Sequence, residues 1–204
     1  EYDLAFSHYW LSGWVGEFLQ RWWHVPHVTM FHTLGAAKNA IGIGEEEPEL
    51  RLKTERDLAR NCHHIIAATE RGKEELIQHY GASPTRIGVI PCGVNLELFH
   101  LLDKGVAKQQ LGFGDDKIIL YVGRIEPLKG IERLLQAVSC LKNGSGLRLV
   151  VAGGDGRSQH EIEWLRRLSR TLHIQDSVTF PGVIRHEQLP YFYSAADVCV
   201  VPSY

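Results

Sequence analysis

The chain has 204 residues, 44% of them hydrophobic, enough for one large domain or two small ones. Lys and Arg number 22 against 24 Asp and Glu, for a net charge of -2, and this near balance argues against a partner held by bulk charge, such as nucleic acid. No apolar run approaches the ~20 residues of a membrane span and no signal-peptide pattern opens the chain, so a soluble, cytoplasmic protein without stable membrane insertion is expected.

In chain order, the pattern predicts a strand over 4–7, a helix over 11–23, a strand over 28–31, a helix over 50–61 and a strand over 65–68. A helix over 70–80, closed by Gly81, and a strand over 87–90 follow. In the first helix Trp10, Leu11, Trp14, Val15, Phe18, Leu19 and Trp22 recur at i, i+3, i+4 spacing, which predicts a core-facing stripe rather than a helix lying on a membrane. The connector Pro91 to Phe99, with a polar, charged stretch to about Asp116, reads as the boundary between two units, 1–99 and 100–204. Beyond it come strand 118–122, helix 131–141, strand 147–152, helix 161–172, strand 178–180, a short helix near 187–195 and strand 198–201. Such β-α-β alternation predicts an α/β fold with parallel sheets covered on both faces, and a cleft between two such units is the natural ligand site.

Smaller features fit the same picture. Cys62, Cys92, Cys140 and Cys199 show no C-x-x-C pair and read as buried, reduced thiols. Asn143-Gly144-Ser145 reads as a Gly-rich turn rather than a glycosylation site. Both ends, Glu1 without Met and Tyr204 just after an apolar strand, read as cuts through a longer chain.

The most informative stretch is Val122 to Gly130, between a strand and a helix. That loop lies at the carboxyl end of a strand, where open α/β sheets bind ligands, and the next helix offers backbone N–H groups to an anion. Arg124 supplies a fork for paired oxygens and Lys129 a mobile point charge, a combination suited to a diphosphate; the alternative is two solvated residues near a turn. Gly153-Gly154-Asp155-Gly156 and Gly182 to Arg185 follow later strands on the same side, and with Gly123 to Gly130 they outline a nucleotide-sized groove. In the first half, Ser7 to Trp10 and Phe31 to Gly35 both follow strands, so His8 and His32 project from one sheet edge. No D-x-D pair is present to hold a divalent ion against a diphosphate, and His63-His64 on a strand point to opposite faces, so no metal site is assigned.

Gly123-Arg124 with Lys129-Gly130, preceded by Pro91-Cys92-Gly93-Val94 and followed by Ala195-Ala196-Asp197 and Val201-Pro202-Ser203, resembles the retaining GT-B glycosyltransferases of glycosyltransferase family 4 across the whole chain. The resemblance implies two facing Rossmann-like domains, the first on the acceptor side and the second binding a nucleotide sugar, most often UDP-linked, with no metal or other cofactor. It implies that Gly123, Arg124 and Lys129 hold the donor diphosphate, that Ile184 and Arg185 touch the base, and that His32 lies beside the reacting sugar. His8-Tyr9-Trp10, His32-Thr33-Leu34 and Lys38-Asn39 look most like the branches that glycosylate inositol 3-phosphate for mycothiol or make sucrose phosphate. That likeness matches Tyr9, Thr33 and Arg51 to acceptor-phosphate positions and implies a small phosphorylated polyol or sugar as acceptor. Residue by residue, the alternatives are Tyr9 at the core edge, Thr33 as a helix N-cap and Arg51 as a surface helix residue.

The family's glycine-rich first loop and its glutamate pair would lie before Glu1 and after Tyr204, so this length of chain is not expected to turn over alone. A nucleotide-sugar epimerase of the same architecture would need cleft carboxylates for acid and base, and none stands out. A third reading is a module that binds nucleotide without turnover. A dehydrogenase fails for want of G-x-G-x-x-G opening a β-α-β unit.

Overall fold

A computed structural model describes residues 2–141 and 146–204; the expected turn at 143–145 lies outside them. The chain divides into two compact units, the first ending at Gly93 and the second running from Val94 to Tyr204.

In the first unit the elements are β1 (Ala5–His8), α1 (Tyr9–Trp23), β2 (His27–Phe31), α2 (Gly35–Ile41), α3 (Glu49–Asn61), β3 (His64–Ala67), α4 (Glu70–Tyr80) and β4 (Ile87–Val89). The four strands form one parallel sheet in the order β1-β2-β3-β4. Leu58, Ile65, Leu76 and Phe31 build the core on the α3 and α4 side. α4 starts and stops as its sequence dictates, for Thr69 Oγ1 accepts the Gly72 N–H at 3.0 Å and Gly81 takes the left-handed conformation that closes the last turn.

The second unit contains α5 (Lys104–Leu111), β5 (Lys117–Val122), α6 (Ile131–Cys140), β6 (Leu147–Ala152), α7 (Gln159–Thr171), β7 (Val178–Gly182), α8 (Leu189–Ala195) and β8 (Val198–Cys199). Its sheet is also parallel, in the order β7-β6-β5-β8. Because strand side chains alternate, β5 and β6 feed two cores. Ile118, Leu120 and Val150 pack with Phe113 and Phe192 on one face, while Tyr121, Leu149 and Val151 pack with Leu135 and Leu165 on the other.

Three sequence expectations need correction. The large residues of α1 do not face the core: Trp14, Val15, Phe18 and Trp22 are each more than half exposed, and Gly13, Gly16 and Glu17 are buried instead. At two positions of that face the helix lies too close to its neighbours for a side chain, since a Cβ at Gly13 would meet Leu58 at 2.5 Å and one at Gly16 would meet His27 at 2.4 Å. The segment before α3 contains α2, and the charged stretch before β5 contains α5, capped by Asp103 Oδ1 on the Val106 N–H at 2.9 Å. Only Cys62 is a buried thiol; Cys92, Cys140 and Cys199 are exposed, the last on the exposed edge strand β8. Phe99, in the connector, packs edge-on against His186 and Tyr193.

Candidate functional site

In the first unit the ends of β1 and β2 carry His8 and His32. Their rings stack with centroids 5.2 Å apart, and His8 Nδ1 lies 3.0 Å from His32 Nε2, so one imidazole donates to the other. His8 is tied to the start of α1, where its backbone N–H donates to Ser12 Oγ at 3.0 Å. The next residue, Tyr9, has φ 70, a region costly for an aromatic residue and enriched at functional sites.

Tyr9, Thr33 and Arg51 come together. The Arg51 guanidinium lies 4.9 Å from the Tyr9 ring centroid, and its Nη2 donates to Thr33 Oγ1 at 3.0 Å and to Thr33 O at 3.1 Å. Arg51 is not a surface residue, being only 2% exposed, and Thr33 is not an N-cap, since Leu34 holds that place before α2. The buried cation is surrounded by acceptors: Nε donates to Glu55 Oε1 at 2.8 Å, and Nη1 lies 2.7 Å from Glu47 Oε2. Burial works against its charge, but the bonds to Glu55 and Glu47 prevail and raise its pKa above the ordinary guanidinium value. Glu55, fully buried, also accepts the Gly35 N–H at 2.8 Å and the Tyr80 hydroxyl. Burial and that bond to Glu55 push the Tyr80 phenol well up.

In the second unit the loops after β5, β6 and β7 wall a cavity of about 710 Å³, lined among others by Gly123, Arg124, Glu126, Gly153, Gly154, Ser158 and Ile184. The loops are laced together: Gly123 N–H donates to Ala152 O at 3.0 Å and Gly153 N–H to Gly182 O at 2.8 Å. The Tyr121 hydroxyl holds Arg124 O at 2.6 Å, with its phenol pushed up to about 12 by burial and by the nearby Glu126 charge. Gly153, at φ 133, has to be glycine, because a Cβ there would fall 1.8 Å from Gly123 O. The Arg124 side chain, 70% exposed at the rim, lies 3.1 Å from Glu126 Oε1. Lys129 closes a 3-10 turn (Pro127–Lys129) just before the N-terminus of α6, and Arg185 is exposed with Nε 3.6 Å from Glu187 Oε2; neither lines the cavity.

Residues 103–204 match the family of glycosyl transferases group 1. The chain belongs to this family. Residues 1–98 match Glycosyltransferase Family 4. The chain is 39% identical, over its whole length, to D-inositol 3-phosphate glycosyltransferase 2 of Catenulispora acidiphila and to the D-inositol 3-phosphate glycosyltransferase of Mycobacterium tuberculosis, covering 50% and 42% of them. The chain thus spans about half the length of the curated relatives it matches. A sucrose-phosphate synthase from Thermosynechococcus elongatus superposes on the whole chain with a TM-score of 0.84 at 36% identity, the chain covering 51% of it. Anabaena HepE, solved with UDP and glucose, superposes on 99% of the chain and is covered to 53%, with a TM-score of 0.85 at 21% identity. The fold is GT-B, with two Rossmann-like α/β units.

Three further residues of the first-unit cluster are not apparent as site residues from sequence alone. Glu47 and Glu55 stand four residues to either side of Arg51, a spacing that announces ion pairs. Tyr80 gave no signal, because its tie to Glu55 joins α4 to α3 across 25 residues.

Proposed function

We propose that the protein containing this chain transfers a sugar from a nucleotide sugar, with UDP as the carrier, to a small phosphorylated polyol or sugar, retaining the anomeric configuration. The observation that carries it is the meeting of Tyr9, Thr33 and Arg51 in one cluster from three separate segments. A guanidinium, a hydroxyl and an aromatic rim suit a phosphate far better than a neutral polyol. Relatives named for inositol 3-phosphate and sucrose phosphate support this acceptor class, and a neighbour solved with UDP supports the carrier.

On this reading residues 1–99 serve the acceptor and residues 100–204 the donor. In the second unit, Gly123 lets the donor diphosphate approach the backbone, Arg124 and Lys129 neutralise the charge that builds on it as the glycosidic bond breaks, and Ile184 and Arg185 contact the base. Charge stabilisation that grows toward the transition state acts on the chemical step. The two cations fill the electrostatic role a divalent ion would have, so transfer needs neither metal nor cofactor. His32, steadied by His8, orients the transferred sugar and forms no covalent adduct.

The test compares donor consumption by the full-length protein with matched acceptors, inositol against inositol 3-phosphate and fructose against fructose 6-phosphate. Phosphorylated acceptors are expected to be strongly preferred; equal rates within each pair would reject the acceptor reading.

A further inference from the structure

The two carboxylates that grip Arg51 differ in kind. Glu55 is fixed on α3, fully buried, and bound by the Gly35 N–H and the Tyr80 hydroxyl as well as by Arg51 Nε. Glu47 stands on the loop between α2 and α3, and its side chain keeps 14% of its exposure. Its carboxylate is held by two cations: Arg51 Nη1 at 2.7 Å and Lys38 Nζ, reaching from α2. Its backbone N–H donates to Asn39 Oδ1 at 2.8 Å, a second local tie to the end of α2.

Arg51 therefore has Nε committed to Glu55 and Nη2 to Thr33, while Nη1 is given to Glu47 on the loop before α3. That nitrogen and the Lys38 ammonium, on a side chain one-third exposed (33%), converge on a single anion, and the other terminal nitrogen of the same guanidinium donates to Thr33 Oγ1. Two cationic donors on one anion, with a hydroxyl on the same guanidinium, are the groups a phosphate seat needs. A phosphate has three terminal oxygens where a carboxylate has two, so it can serve Lys38, Arg51 and the Thr33 hydroxyl at once. Exchanging one anion for another also keeps Lys38 and the Nη1 end of the buried Arg51 supplied with a negative partner.

We propose that Lys38 is a ligand of the acceptor phosphate, and that Glu47 is an internal anion keeping the phosphate's place between Lys38 Nζ and Arg51 Nη1 until the acceptor displaces it. The proposal rests on the phosphorylated-acceptor reading above. Glu47 sets the affinity threshold: a ligand has to outcompete a carboxylate already paired twice, which a dianion does and a neutral hydroxyl does not.

The experiment titrates inorganic phosphate into the full-length protein by calorimetry, for wild type, Glu47→Gln, Glu47→Asp and Lys38→Met, with melting curves confirming folding. The same proteins are then assayed with inositol and inositol 3-phosphate. Losing the competing charge should tighten phosphate by about 10-fold in Glu47→Gln, the scale of one charged hydrogen bond. Glu47→Asp, whose carboxylate reaches less far, should fall between, and keeps the test decisive if the Gln variant fails to fold. Lys38→Met should weaken phosphate by about 10-fold. In the transfer assay Glu47→Gln should lower KM for inositol 3-phosphate. Unchanged or weaker phosphate binding in the folded Glu47 variants, with wild type still preferring inositol 3-phosphate, overturns the proposal and leaves the acceptor reading standing. No phosphate binding and no acceptor preference in wild type brings down both.

Discussion

Replacing Glu55 by Leu probes the cluster at its most demanding point. The substitution removes the acceptor for three buried donors, Arg51 Nε, the Gly35 N–H and the Tyr80 hydroxyl, and leaves the Arg51 charge with Glu47 as its remaining carboxylate. Breaking one side of a buried ion pair costs ~3–5 kcal/mol, and each stranded donor ~1–3 kcal/mol. The terms overlap at Arg51, so a net loss of roughly 4–6 kcal/mol is expected, a large part of the ~5–15 kcal/mol that holds a domain together. The double variant Arg51→Met, Glu55→Leu removes the buried charge with its counter-charge and should recover part of that loss, the Gly35 N–H and the Tyr80 hydroxyl still lacking their acceptor. Urea unfolding of the full-length protein, followed by circular dichroism and tryptophan fluorescence, measures both. A Glu55→Leu midpoint corresponding to less than ~1 kcal/mol of destabilisation would refute the reasoning, because it would mean these donors are satisfied by water rather than by Glu55.

Arg124→Ala and Lys129→Ala should each lower kcat/KM by roughly 10²-fold, the scale of a lost transition-state donor; wild-type kinetics in both would reject the diphosphate role. His32→Ala should cripple transfer while UDP affinity, read by calorimetry, stays nearly intact; a large loss of UDP binding would place His32 at the donor phosphates instead. Excess EDTA should leave turnover unchanged, and a loss restored by magnesium or manganese would count against a clamp made of side chains. Asp197 is held at a pKa of about 2 by a hydrogen bond from Lys104, by the Ile118 N–H and by the Lys108 charge. Its stabilisation should be present above its unfolded pKa of ~3.9 and fade as pH falls toward 2. The melting-temperature gap between wild type and Asp197→Asn should close over that window, and a constant gap would contradict the assignment.

Much of this architecture was legible because its signals are local. Apolar runs such as 118–122 become strands buried on both faces, and Gly81 ends α4 where a left-handed residue is needed. α2 escaped because its first N–H groups are satisfied from far along the chain, Gly35 by Glu55 and Ala36 by the Tyr80 hydroxyl at 3.0 Å. α5 could have been found, for Asp103 and Gly112 are ordinary start and stop residues. The helical period of α1 was right and its orientation wrong: periodicity reports which residues share a face, while close packing over Leu58 and His27 reserves two positions of the inner face for glycine. The gathering of Tyr9, Thr33 and Arg51 came from family likeness, and the carboxylates around Arg51 were in plain view at i±4 but became meaningful only once Arg51 proved to be buried.

With the proposed acceptor role, Tyr9 sets the demands of folding against those of chemistry. At φ 70 its backbone would relax by ~1–3 kcal/mol if the residue were glycine. A library at this position selected only for heat tolerance should drift toward Gly or Asn, whereas one selected for sugar transfer should hold on to the ring against Arg51. The two selections pull one codon in opposite directions, and the outcome at position 9 would report which of them had shaped any given descendant of this sequence.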